Sequence, residues 1–237
     1  DFPKLVHRYY AQRVRADGTR FRQRLLGNPN RLGKLARMSL GLANPMNRFG
    51  PNRWLIEKFF GIHRKKQLPR FAGSTFTSWA KSKGKLVDQP GCEVVMFPTC
   101  FVDNNAPELG RDTLEVLERN GFEVGCVTGL QCCGMPAWEH GDLETVRKNA
   151  RANLDVLYPY AEAGAKIVAI SPTCSMMMRR EYPELVATED RERARKVAEA
   201  IVDPSELLWS IRKEDRFNTD VGSKKGLEVA YHAPCHL

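Results

Sequence analysis

Cys132 and Cys133 stand side by side in the run Gln131-Cys132-Cys133-Gly134-Met135-Pro136. Adjacent cysteines can bridge each other only by distorting the peptide between them. Placed in a Gly/Pro turn, both thiolates can instead face one pocket. Thiolate sulfur is the ligand of iron–sulfur clusters and one of the preferred ligands of zinc. Two further cysteines share a local pattern: Pro98-Thr99-Cys100 and Pro172-Thr173-Cys174 each follow an apolar run, and Pro234-Cys235 echoes them. Proline stops a strand and leaves the next backbone N–H groups free to face a ligand. A helix opening at Cys174 would add its partially positive end, which favours thiolate and bound anionic clusters.

The elements that must position these thiols are legible from residue 91 onward. Short apolar runs at 92–97, 122–127, 166–171 and 227–232 predict strands. Between them, 107–120 reads as a helix with Leu109, Leu114 and Leu117 on one side, stopped at Asn120-Gly121. A longer helix is predicted over 142–163 from Leu143, Val146, Ala150, Leu154 and Leu157, with Pro159 expected to kink or end it. Further helices are expected at 174–181, 191–201 and 204–212. Strand–helix alternation with short connections predicts an α/β fold, a Rossmann-like parallel sheet with covering helices. In such a sheet a ligand sits beyond the carboxyl ends of the strands. Cys100, Cys132, Cys133, Cys174 and Cys235 all fall just past strands, so the fold gathers them at one edge. Cys92 and Cys126 fall inside predicted strands and read as buried, inert thiols. The Met176-Met177-Met178 run reads as core filling, and His140, His232 and His236 have no spacing partner.

Residues 1–90 differ in character. They hold 20 Lys and Arg against 4 Asp and Glu, a formal +16, whereas residues 91–237 sum to −7 and the whole to +9. The region reads as basic helical segments, 9–26, 31–42 and 53–60, separated by Gly27-Asn28-Pro29-Asn30, Asn44-Pro45 and Gly50-Pro51-Asn52. A basic connector follows at 61–69. Such a region is a solvated linker touching an acidic partner, a dock for an anionic membrane face beside Trp54, Phe59 and Phe60, or a nucleic-acid contact. No recognition motif frames the arginines, so nucleic acid is not expected. With 237 residues, 42% of them hydrophobic, the chain can bury a full core. No apolar run reaches the roughly 18 residues of a membrane span. The chain opens at Asp1 and stops one residue past Pro234-Cys235-His236, so it reads as a piece of a longer protein. Seven cysteines, an odd number, without an export signal favour a reducing, cytoplasmic setting and metal ligation over a disulfide framework.

Cys100, Cys132-Cys133-Gly134 and Cys174 in this order resemble the CCG cysteine-rich domain family, found in the B-type subunit of heterodisulfide reductase and in the iron–sulfur subunits of glycolate oxidase and anaerobic glycerol-3-phosphate dehydrogenase. The likeness covers 91–237, and Tyr231-His232-Ala233-Pro234-Cys235-His236-Leu237 is similar to the opening of the family's second repeat. The connector 61–71, continuing to Trp79, looks like the linker of the glycerol-3-phosphate dehydrogenase C-type subunits. The resemblance implies three parts: a basic linker region at 1–90, a first CCG domain at 91–226, and the start of a second repeat at 227–237. It also implies a ferredoxin-like domain preceding the chain. It implies an iron–sulfur cluster of [4Fe-4S] type held by Cys100, Cys132, Cys133 and Cys174, with Cys235 serving a second site. Here the sequence departs from the family pattern, because Met177 stands where the last cysteine of the repeat belongs. Thioether is a poor substitute for a bridging thiolate, and four thiolates remain.

The resemblance further implies an electron-transfer subunit of a respiratory, flavin-linked dehydrogenase or a heterodisulfide-reductase-like complex. Its partners would be a flavoprotein dehydrogenase subunit and a quinone or membrane-anchor partner, with electrons passing to quinone or a disulfide. The location would be cytoplasmic, peripheral on the inner face of the plasma membrane. Three other readings stay open: a structural zinc site, a metal-free scaffold docked to a membrane or subunit, and metal-free thiol–disulfide catalysis.

Overall fold

The computed structural model describes residues 2–220, together with 228 and 230. The basic part builds α1 (Phe2–Asp17), α2 (Phe21–Leu26), α3 (Pro29–Met38), α4 (Ala43–Met46), α5 (Gly50–Phe60) and α6 (Phe76–Ser82). The expected single segment 9–26 is split because Gly18 adopts φ 76°, a left-handed turn that a side chain resists. The α/β part runs β1 (Val94–Phe97), α7 (Cys100–Asn104), α8 (Pro107–Arg119), β2 (Val124–Cys126), α9 (Met135–Glu139), α10 (Leu143–Glu162), β3 (Lys166–Ala169) and α11 (Pro172–Met176). A π-turn at Met177–Glu181 leads into α12 (Tyr182–Leu185), a 3-10 turn at Thr188–Asp190, α13 (Arg191–Ala200), β4 (Ile201–Val202) and α14 (Pro204–Ser210).

The four strands form one all-parallel sheet in the order β2-β1-β3-β4. Every residue of β1 is buried, and its side chains alternate between two cores. Val95 and Phe97 meet Ile167, Ala169 and the inner stripe of α10 (Val146, Ala150, Leu154, Leu157), together with Ala194 and Val197 of α13. Val94 and Met96 meet Phe76 and Ala80 of α6, Leu114 and Leu117 of α8, and Leu207 of α14. A strand covered on both faces must be apolar throughout, which explains the unbroken runs in the sequence. The β1-to-β2 step has α8 on one face. The return from β2 past β1 to β3, and the onward step to β4, place α10 and α13 on the other. Reversing direction while changing face is what a constant crossover hand requires. The connections therefore part between β1 and β3, so the crevice beyond their carboxyl ends is the natural ligand position.

Several boundaries differ from the sequence reading. The fourth strand is Ile201–Val202, not the predicted end of a helix: the helix stops at Ala200, and Ile201 turns extended to pair with Ile167. Of the strand expected at 227–232, residues 227, 229, 231 and 232 lie outside the described residues. Leu109 is 45% exposed, and the inner face of α8 uses Gly110, where an added Cβ would come within 2.5 Å of the Phe76 ring. The helix α10 passes through Pro159 to Glu162 because Tyr160 and Ala161 are buried, the Tyr160 hydroxyl donating to the Val87 carbonyl at 3.1 Å. Cys92 lies before β1 rather than in it and is half-buried, whereas Cys126 is buried in β2.

The basic helices rest on the cysteine-bearing edge. Helix α3 meets α7, and α1 and α2 meet α9. Gly33 sits so close to Asn104 that a Cβ would overlap its side-chain oxygen, and Gly141 is pressed against the Tyr10–Ala11 backbone. His7 of α1 stacks on Trp138 of α9 with ring centroids 3.8 Å apart.

Candidate metal centre

Each cysteine of interest leaves the sheet by a distinct local device. After β1, Thr99 takes φ 63° and ψ 155°, a region almost confined to glycine, and its Oγ1 accepts from the Val102 N–H at 3.3 Å to start α7 at Cys100. Asn104, buried at the end of α7, donates to the Cys100 carbonyl at 2.8 Å and accepts from Arg37 of α3. After β2, Gly134 adopts φ 95°, and its N–H donates to the Cys132 sulfur. A side chain there would be strained in the backbone and crowded by Val146 at 3.3 Å. After β3, Pro172 opens α11, and Cys174 is its third residue rather than its first. The adjacent Ser175 donates to Asp203 Oδ2 at 3.3 Å, anchoring that helix to the loop after β4.

The four thiols meet. Cys100 Sγ lies 3.8 Å from Cys132 Sγ, and Cys133 is in hydrogen-bond contact with both Cys132 and Cys174. Cys132, Cys133 and Cys174 are buried, and Cys100 is half-buried. The hydrogen bonds within this group divide its thiols in acidity. Hydrogen bonds from Cys100 and then Cys133 hold Cys132 far below the ordinary thiol range, against the cost of burial. Cys100 is pushed up, first by its bond to Cys132 and then by burial. Cys133 is pushed up for the same two reasons, with Cys174 adding to the first. The pattern favours negative charge on Cys132, with Cys100 and Cys133 as its S–H donors. The sulfurs form a string rather than a ring: among the described residues, no three His, Cys, Asp or Glu side chains converge to hold a single metal ion.

Behind the string stands a support that sequence reasoning missed. Asn153 of α10, fully buried, accepts from the Gln131 N–H at 2.7 Å and donates to the Tyr182 hydroxyl at 3.0 Å. Tyr182 is also fully buried; burial, and then the nearby Cys133, hold its phenol protonated. Nothing in helical periodicity marks such an asparagine, because it occupies a core position of an otherwise apolar stripe. Met177 and Met178 fill the same core with no exposure. Cys92 and Cys126 lie away from the group; burial raises both thiols, Cys126 to about 12. Cys235 lies outside the described residues.

Residues 94–179 match the family described as the CCG cysteine-rich domain. The chain thus carries a CCG cysteine-rich domain, whose span begins with β1 and ends within the π-turn after Cys174. It is similar to the C-type subunit of anaerobic glycerol-3-phosphate dehydrogenase of Escherichia coli K12, with 30% identity over 233 residues, covering 95% of this chain and 57% of the relative. It is also similar to lactate utilization protein A of Bacillus licheniformis (31% over 147 residues; 61% of this chain, 58% of the relative) and of Exiguobacterium sp. (34% over 147 residues; 61% and 57%). The chain spans a little over half the length of these relatives. No solved structure matches it.

Proposed function

We propose that this chain is the iron–sulfur, electron-transferring part of an oxidoreductase complex, with Cys100, Cys132, Cys133 and Cys174 as the ligands of a [4Fe-4S]-type centre. The observation that carries the reading is the string of four sulfurs at the parting point of a parallel sheet. The donor set fits the group: an all-thiol site is soft, largely dry and suited to iron–sulfur chemistry. A string of contacts suits a centre with several metal atoms better than a lone zinc ion. When bound, the cluster supplies one-electron transfer. The chain's own residues supply the rest. Cys100 and Cys133 release protons as metal binds, the Gly134 N–H bonds a ligand sulfur and tunes the potential, and the covering helices exclude water.

The relatives' names support a place beside a dehydrogenase. The proposal includes a flavoprotein partner that oxidises the substrate, and quinone or a disulfide as the acceptor. The division into 1–90, 91–226 and 227–237 is part of the same reading, with Cys235 belonging to a second site. So is a peripheral cytoplasmic position on the membrane. Among the described residues no helix is long and apolar enough to cross a membrane, and the basic part exposes Phe21, Phe49, Trp54 and Phe59. The test is the pair Cys132→Ser and Cys133→Ser in the full chain, prepared without oxygen. Loss of visible absorption and of iron, with folding retained, is the expected result. Metal content unchanged by both substitutions would overturn the assignment.

A further inference from the structure

Away from the thiols, the connector after α5 closes on itself around one arginine. Arg53 of α5 is 6% exposed. Its Nε donates to the Arg64 carbonyl at 3.1 Å, and its Nη2 donates to the carbonyls of His63 at 2.9 Å and Lys66 at 2.7 Å. Its Nη1 is buried and has no hydrogen-bond partner. A buried guanidinium with one arm unpaired is costly unless something fills that arm's demand. The turn is fixed from the other side as well. Asn44 donates to the Phe71 carbonyl at 2.8 Å and accepts from the Phe71 N–H at 2.9 Å, which ties the far end of the connector to α4.

Between these ties lies a cavity of about 460 Å³. Arg48, Arg53, Arg64, Lys65, Lys66 and Arg70 line it, and no carboxylate does among the described residues. Of the lining cations Arg64 is paired with Glu57, whose carboxylate takes one bond from it at 2.5 Å and lies 3.7 Å from His63 Nε2. Six cations held around one hollow repel one another, and mutual repulsion of this kind needs an anion to offset it. The volume suits a small molecule, since ligand pockets run from about 300 to 1,000 Å³. Planar arginine forks select phosphoryl oxygens over a point charge such as chloride.

We propose that this basic cradle binds a phosphoryl group, with Arg53 as its buried anchor and Arg48 and Arg70 closing over it. The group belongs to a phosphate monoester in solution or to a phospholipid headgroup. The cradle is independent of the iron–sulfur assignment and stands or falls without it. Calorimetric titration of the full chain with inorganic phosphate at low salt tests it. One saturable site is expected, weakened at least tenfold in the double variant R48Q/R70Q, whose residues are exposed, and unchanged in R13Q/R15Q, which removes the same charge from α1. Arg53→Lys keeps the charge and loses the fork, so it should also weaken binding. Flotation with phosphatidylglycerol and with phosphatidylcholine vesicles separates the sources. A headgroup site gives phosphatidylglycerol binding that R48Q/R70Q abolishes and phosphate competes away, and a soluble-ligand site leaves flotation equal in all variants. Absence of saturable phosphate binding together with flotation indifferent to R48Q/R70Q would overturn the proposal, as would equal weakening by R13Q/R15Q.

Discussion

Asn153 offers the most exacting test of how the cysteine loop is held. Substitution by leucine keeps the volume and removes both hydrogen bonds, one to the Gln131 N–H and one to the fully buried Tyr182 hydroxyl. A buried polar group stripped of its partner costs about 1–3 kcal/mol. Tyr182 bears that cost in full, while the Gln131 N–H lies in a part-buried position and recovers some of it. The expected loss for Asn153→Leu is therefore about 2–4 kcal/mol, a large share of the roughly 5–15 kcal/mol that holds a domain together. Tyr182→Phe alone leaves one amide N–H of Asn153 unpaired and should cost about 1–2 kcal/mol. In the Asn153→Leu background, Tyr182→Phe should cost almost nothing, because the hydroxyl is already orphaned. Urea unfolding of the four proteins, read at constant slope, gives the cycle. Strict additivity, or a loss below about 1 kcal/mol for Asn153→Leu, would refute the bridge as the support of the loop.

Three other perturbations follow from the geometry. Gly110→Ala in α8 would gain about 1 kcal/mol of helix propensity in the open, yet its Cβ would come within 2.5 Å of the Phe76 ring; overpacking costs about 1–3 kcal/mol, so thermal unfolding should show a less stable protein, and a stabilised one would contradict the packing. Thr99→Ala loses a helix cap and keeps φ 63°, whereas Thr99→Gly relaxes the backbone, so glycine should exceed alanine by about 1 kcal/mol or more; the reverse order would rule out that backbone turn. Asp203 has its pKa raised from the ordinary 3.8 chiefly by burial, so its proton binds more tightly in the folded protein. The stability this brings is present below the unfolded value and is lost as pH rises through the folded one. Asp203→Asn, which can still accept from Ser175 and cap α14, should flatten that fall relative to wild type in acid titrations, and an unchanged profile would deny it.

How much of this was legible in the sequence varies by element. The three cysteine-bearing strand ends could be read because strands buried on both faces appear as apolar runs, and Pro98 and Pro172 mark where two of them stop. The convergence of Cys100, Cys132, Cys133 and Cys174 followed from strand order alone, since parallel strands share an edge. β4 could not be read, because two residues, Ile201 and Val202, carry no period and extend what looks like a helix. Asn153 and Tyr182 were invisible for a related reason: a single buried polar pair is defined by its partner across the core, not by neighbours in the chain. The basic region hides its packing in another way: its many arginines give no sign of the close glycine contacts at Gly33 and Gly141 or of the His7–Trp138 stack that press it onto the cysteine edge. Arg53 is one cation among many in the sequence, and only the fold gathers three carbonyls around it.

The central claim is that four thiols from three strand ends hold one multinuclear iron–sulfur centre. Iron K-edge X-ray absorption of the full chain, prepared without oxygen, tests it most directly. The account predicts iron surrounded by sulfur, with a second shell of iron neighbours that disappears in Cys132→Ser. Iron with oxygen or nitrogen neighbours only, or a preparation carrying zinc and no iron, would contradict it.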